Sequence, residues 1–246
     1  MIWLGDLDDP SSDAAGFIRP LDGVTAIAIT SVDGRGALDG TSGGLGNPAD
    51  AAVLRAVRDT ADVVIVGAGT ARAENYGPAA PPTRLAVLSR SLDLDPSSRL
   101  FSGNSGADSP PAPIIVTTAT STGDRPFDDR HDERRRALVE AGADVVVLAD
   151  SSPRALIAAL RDRGLRRIVV EGGPSVYRQF LDDDAVDRIH LTLSPMVVGG
   201  GPATFGTGES ERPSEGAAGP PRGFRVEAVA HSDSHLFVRY FRERTG

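Results

Sequence analysis

The chain has 246 residues, 40% of them hydrophobic, and a formal net charge of -8; this suits one large domain or two small ones with an ordinary core, and the acidic balance argues against a nucleic-acid partner. It contains no cysteine, and all of its 26 basic residues are arginine, so disulfides, zinc–thiolate sites, thiol nucleophiles and lysine Schiff bases are excluded. No apolar run approaches the ~20 residues of a membrane span, and the acidic stretch 1–15 lacks the basic start of a secretory signal, so the expected location is the cytoplasm.

Residues 1–20 read as a loosely ordered arm, and 21–246 as a single domain. Val24 to Thr30 is apolar and β-branched, a buried strand that runs into the turn Ser31-Val32-Asp33-Gly34. Residues 36–46 carry five glycines among small polar residues, which suits a loop closing over something. Asn47-Pro48 supplies an N-cap and a first-turn proline for a helix to about Thr60. Val63 to Val66 is a second strand and ends in Gly67-Ala68-Gly69-Thr70, a glycine turn entering a short helix toward Glu74.

Further strands follow at 85–88, ending in Ser89-Arg90, at 114–116, ending in Thr117-Thr118, and at 145–148. Residues 102–113 read as a surface loop, and 128–136 as a charged, solvated helix start. Ser152-Pro153 caps a helix over 154–163 that Gly164 stops. The next stretch is Arg167 to Tyr177, where an apolar run ends in Glu171-Gly172-Gly173-Pro174 and a helical pattern begins. Two glycines permit positive φ and close backbone approach, and a helix N-terminus opened by proline favours a phosphate. After the strand 189–193 and Gly199-Gly200-Gly201, a loop spans 206–223, and two strands at 224–230 and 235–241 suggest an antiparallel edge hairpin.

Alternating strands and helices with short links imply an α/β fold in three layers, a mostly parallel central sheet with helices on both faces. In such sheets ligands bind beyond the carboxyl ends of the strands. Ser31 to Gly34, Gly67 to Thr70, Ser89-Arg90, Thr117-Thr118 and Glu171 to Ser175 all fall at such ends.

In their order, Ser31-Val32-Asp33-Gly34, Leu54-Arg55-Ala56, Val66-Gly67-Ala68-Gly69-Thr70 and Glu171-Gly172-Gly173-Pro174 resemble the reductase domain of riboflavin-biosynthesis deaminase/reductase enzymes. The likeness covers about residues 20–205. It implies a dihydrofolate-reductase-like fold, NADPH, a homodimer, and reduction of a phosphoribosylamino-pyrimidine to its ribitylamino form. Carried over, it assigns Thr70, Ser89, Arg90 and Gly172, Gly173, Pro174, Ser175, Val176 and Tyr177 to the cofactor, with Ser89 and Arg90 at the adenosine 2′-phosphate. Ser42, Arg55 and Glu171 match substrate contacts, and Asp33 and Glu74 are the candidate proton donors, directly or through a water.

The sequence departs from that pattern on the substrate side. Ala26-Ile27-Ala28-Ile29 lacks a polar residue on the first strand, Gly43-Gly44-Leu45-Gly46 lacks the common tryptophan, and Asn75-Tyr76-Gly77-Pro78 lacks an arginine for the substrate phosphate. A pterin such as dihydrofolate is therefore an alternative acceptor, and a non-catalytic nucleotide-binding protein a third reading. His190 reads as a core histidine, and His231 with His235, on a hairpin, as a poor pair for a metal; no metal is expected.

Overall fold

Strand formation follows the apolar runs. The computed structural model describes residues 3–7, 17–18, 22–103, 109–119, 129–206 and 221–244. In chain order the elements are β1 (Trp3–Asp6), β2 (Gly23–Thr30), α1 (Pro48–Asp59), β3 (Val63–Gly67), α2 (Ala68–Ala73), β4 (Arg84–Leu88), β5 (Ile114–Thr118) and α3 (Asp129–Glu140). They continue with β6 (Asp144–Leu148), α4 (Pro153–Arg161), β7 (Arg167–Gly172), α5 (Pro174–Asp182), β8 (Arg188–Leu193), β9 (Phe224–Ser232) and β10 (His235–Arg242). The chain forms two compact units: Met1–Thr60 with Val169–Gly246, and Ala61–Ile168.

In the first unit the strand order is β1-β9-β10-β8-β2-β7. β2 runs parallel to β8, with Thr25 opposite Arg188 and Thr30 opposite Leu193. β10 is antiparallel to both β8 and β9, which gives the C-terminal hairpin that the sequence suggests. Residues 3–6, expected to be a loose arm, instead add a strand parallel to β9 outside that hairpin. Phe17, Val24, Phe180 and Phe237 are fully buried in this unit's core. Asn47 caps α1 by accepting the Asp50 N–H at 2.9 Å, which satisfies one of the donors a helix start leaves open.

The second unit is a parallel sheet, β3-β4-β5-β6. Val63, Ile65, Ile114 and Ile115 are wholly buried there, as strands covered on both faces require. Asp62 fixes the entry into β7: its carboxylate accepts the N–H groups of Arg166 and Arg167 at 2.8 Å and pairs with the Arg167 guanidinium. Mostly parallel strands separated by helices, with an antiparallel C-terminal hairpin, make the α/β fold expected from the sequence. Among the described residues no helix is long and apolar enough to cross a membrane.

Candidate active site

In the first unit, β7 delivers Glu171 and the two glycines after it. Val169 and Val170 are buried, so the strand is anchored up to the carboxylate. The Glu171 side chain is only 3% exposed. It is gripped by Arg58 from α1, whose Nε and Nη2 each lie 2.5 Å from a carboxylate oxygen. A forked guanidinium meeting both oxygens is a strong and geometrically selective contact. Arg55, expected to face substrate, is exposed one turn earlier on the same helix. Arg58 thus takes the contact to Glu171. Only its spacing from the buried Val53 and Val57 hints at this in the sequence.

Gly172 and Gly173 both have positive φ, 107° and 73°. A Cβ on Gly172 would lie 2.5 Å from the Tyr177 ring, so glycine is required twice over, by backbone and by space. Tyr177 is turned inward. Its ring is 7% exposed, stands edge-on to Phe205 at 5.4 Å, and its hydroxyl donates to the Ile27 carbonyl of β2. The Tyr177 side chain thus acts as a strut under the turn that the resemblance assigns to the cofactor. Val176 is buried too, and the N–H groups of Val176 and Tyr177 both reach the Gly173 carbonyl, at 3.0 and 3.1 Å. The first turn of α5 therefore presents the Gly173 and Ser175 N–H groups and the exposed Ser175 hydroxyl. That end carries the positive pole of the helix.

Asp33 is a clamp between two loops. Its carboxylate accepts the Ser31 hydroxyl at 2.6 Å and the N–H groups of Val198 and Gly199 at 3.0 and 2.8 Å. These bonds, the Ser31 hydroxyl first, hold its carboxyl well below the usual range despite some desolvation. So held, the carboxylate ties the turn after β2 to the 198–199 segment. The clamp is extended by Arg35, which donates to the Gly201 carbonyl at 2.9 Å, and by Gly36 N–H to Pro202 at 3.0 Å. Ser42 is half-buried and starts a short 3-10 turn, Gly43–Leu45.

In the second unit, Gly67 caps α2 with an ordinary extended backbone, and Gly69 has open space where a Cβ would stand. Thr70 and Glu74 are half-buried at the two ends of this helix's last turn, with the Glu74 N–H on the Thr70 carbonyl at 2.9 Å. At the end of β4, Ser89 is 5% exposed and its hydroxyl is buried with no hydrogen-bond partner. Arg90 beside it is exposed and, among the described residues, pairs with no carboxylate. Its carbonyl accepts the Thr117 hydroxyl at 3.3 Å, and Thr117 stands 3.4 Å from His131 Nε2. A buried orphan hydroxyl next to an unpaired guanidinium suits an anion. Arg99, which the sequence reading passes over, reaches the segment lacking an arginine of its own: its Nη1 donates to the Asn75 carbonyl at 3.5 Å.

The model of the RibD C-terminal domain matches residues 23–222. The chain belongs to the RibD C-terminal domain family. It is 28% identical over 156 residues to the 2,5-diamino-6-ribosylamino-4(3H)-pyrimidinone 5′-phosphate reductase of Aquifex aeolicus, covering 60% of this chain and 62% of that one. It is 26% identical over 186 residues to the riboflavin biosynthesis protein RibD of Mycobacterium tuberculosis, covering 72% of this chain and 43% of that one. It thus spans less than two thirds of both curated relatives. A crystal structure of a pyrimidine reductase-like protein from Corynebacterium diphtheriae superposes with a TM-score of 0.78 at 33% identity, over 91% of this chain and 93% of that one. The family bears out the resemblance read from Ser31 to Gly34, Gly67 to Thr70 and Glu171 to Pro174.

Proposed function

We propose that this RibD C-terminal domain protein is an NADPH-dependent reductase of a phosphoribosylamino-pyrimidine, acting in riboflavin biosynthesis. The observation that carries this reading is the end of β7: a carboxylate fixed by Arg58, two glycines at positive φ, and a helix start with free donors. Each unit holds residues suited to one part of a dinucleotide. Gly173 and Ser175 offer N–H groups to a pyrophosphate. Gly69 leaves room for close approach, with Thr70 beside it. The Ser89 hydroxyl and the Arg90 fork suit a 2′-phosphate, which is what separates NADPH from NADH.

A bound reduced nicotinamide supplies the hydride. The chain binds, orients and shields. Glu171, held rigid by Arg58, offers its carboxylate as a fixed hydrogen-bond acceptor for the acceptor molecule, with Ser42 as a second contact. Asp33 and Glu74, directly or through a water held by one of them, are the candidates to deliver the proton. Arg99 is the candidate partner of the substrate phosphate near Asn75 to Gly77, and this supports a phosphorylated pyrimidine over a pterin. A homodimer and a cytoplasmic location accord with the same reading.

Loss of NADPH absorbance with the phosphoribosylamino-pyrimidine as acceptor tests it. Turnover with dihydrofolate alone would select the pterin reading. Tight NADPH binding without oxidation by either acceptor would select a non-catalytic nucleotide-binding protein. No binding of NADPH would overturn the proposal.

A further inference from the structure

In the second unit, the turn that follows β4, residues 89–93, is held more firmly than a surface turn needs. Leu92 is wholly buried and has φ 51°, a left-handed backbone that a bulky residue keeps only where its surroundings impose it. Donors from β5, α3 and α2 do so. The Thr117 hydroxyl of β5 reaches the Arg90 carbonyl at 3.3 Å. Arg134 of α3 donates Nη1 to the Ser91 carbonyl at 3.0 Å. Arg72 of α2 donates Nη1 to the Asp93 carbonyl at 2.7 Å.

The same turn offers an anion the buried Ser89 hydroxyl, which has no hydrogen-bond partner, and the Arg90 guanidinium. Two neighbours oppose an anion there. The Ser91 carbonyl is the negative end of its peptide dipole, and Asp93 adds a carboxylate that is 65% exposed. Arg134 answers both. Its Nη1 covers the carbonyl, and its Nη2 lies 3.4 Å from Asp93 Oδ1. A pair this exposed adds little to stability. Its consequence is electrostatic: the one guanidinium removes two repulsive groups from the edge of an anion subsite.

We propose that Arg134 is a positioning residue that makes the Ser89–Arg90 turn selective for a phosphate dianion, by cancelling the Asp93 charge and covering the Ser91 carbonyl. The role rests on the reductase reading in one respect, that this turn takes the 2′-phosphate of NADPH.

The test is a charge-rescue cycle on the full chain, read by calorimetric binding of NADPH and of NADH, which differ only by that phosphate. Arg134→Gln keeps a donor for the Ser91 carbonyl and loses the charge. The preference for NADPH over NADH then falls roughly threefold to tenfold, the reach of one uncompensated, partly screened charge on a dianion. Adding Asp93→Asn to Arg134→Gln restores most of the preference. Asp93→Asn alone, which frees the Arg134 charge, raises it. A preference unmoved by Arg134→Gln overturns the role, and a loss that Asp93→Asn does not rescue reduces Arg134 to a structural prop. Should Arg134→Gln fail to fold, Asp93→Asn alone decides: a higher preference supports the role, and an unchanged or lower one overturns it. An unmodified protein that binds NADPH no better than NADH overturns the 2′-phosphate assignment and the role with it, whereas a preference that the variants leave unmoved overturns the role alone.

Discussion

Glu171 and Arg58, 113 residues apart in sequence, meet in a bidentate pair with one partner buried and the other 40% exposed. The buried carboxylate makes the pair asymmetric. Removing Arg58 strands a charge, whereas removing Arg55 removes only an exposed side chain. Arg58→Ala is therefore expected to cost about 2–4 kcal/mol, somewhat below a fully buried pair because water screens Arg58, and Arg55→Ala about 0.5 kcal/mol or less. Denaturant unfolding of the two variants measures the difference; equal losses would remove Arg58 from the site.

At Gly172 the added methyl group meets a ring rather than solvent. Gly172→Ala must place a non-glycine residue at φ 107° and displace Tyr177, for a loss of at least about 2 kcal/mol. Tyr177→Phe keeps the ring and loses only the bond to the Ile27 carbonyl, about 1–2 kcal/mol. If Tyr177→Phe abolishes NADPH binding while stability is kept, Tyr177 contacts the cofactor directly and its role as a strut is wrong.

Cofactor selectivity rests on Arg90. Arg90→Glu is expected to weaken NADPH by roughly 1.5–3 kcal/mol, about tenfold to a hundredfold in Kd, and to leave NADH nearly unchanged. Titration of both nucleotides by calorimetry checks this. Equal weakening of the two would detach Arg90 from the 2′-phosphate.

Acid should act through His190 first. It is buried against Phe17, with ring centroids 5.4 Å apart. Burial, helped by the charges of Arg239 and Arg188, pushes it down from 6.5 to about 3. The unfolded chain then binds the proton more readily than the folded one, so this contribution is complete above about pH 6.5 and is lost as the pH falls toward 3. By pH 5 the loss amounts to about 2 kcal/mol. His190→Leu should flatten the stability profile in that window. Asp33 acts lower. Its depressed carboxyl stabilises above the ordinary carboxylate range near 4, and this is lost as pH falls below it, so Asp33→Asn and the unmodified protein should converge in stability in strong acid.

Arg99 offers a test of the acceptor. Arg99→Ala is expected to raise KM for a phosphorylated acceptor about tenfold or more with little change in kcat, and to leave NADPH affinity intact. A fall in kcat with KM kept would give Arg99 a different part.

The sequence by itself determined the local structure. Runs such as Val63 to Val66 and Ile114 to Val116 became buried parallel strands because an uninterrupted apolar β-branched run has no solvent face to offer. Asn47, Ser152 and the glycines at 172 and 173 acted as read, because caps and positive φ are settled within a few residues. Only the tertiary structure decided partners. It paired Arg58 with Glu171, turned Tyr177 inward, committed Asp33 to the 198–199 loop and brought residues 3–6 onto the hairpin. Those choices depend on which side chains meet across a hundred or more residues of chain, and neither periodicity nor spacing along a sequence carries that distance.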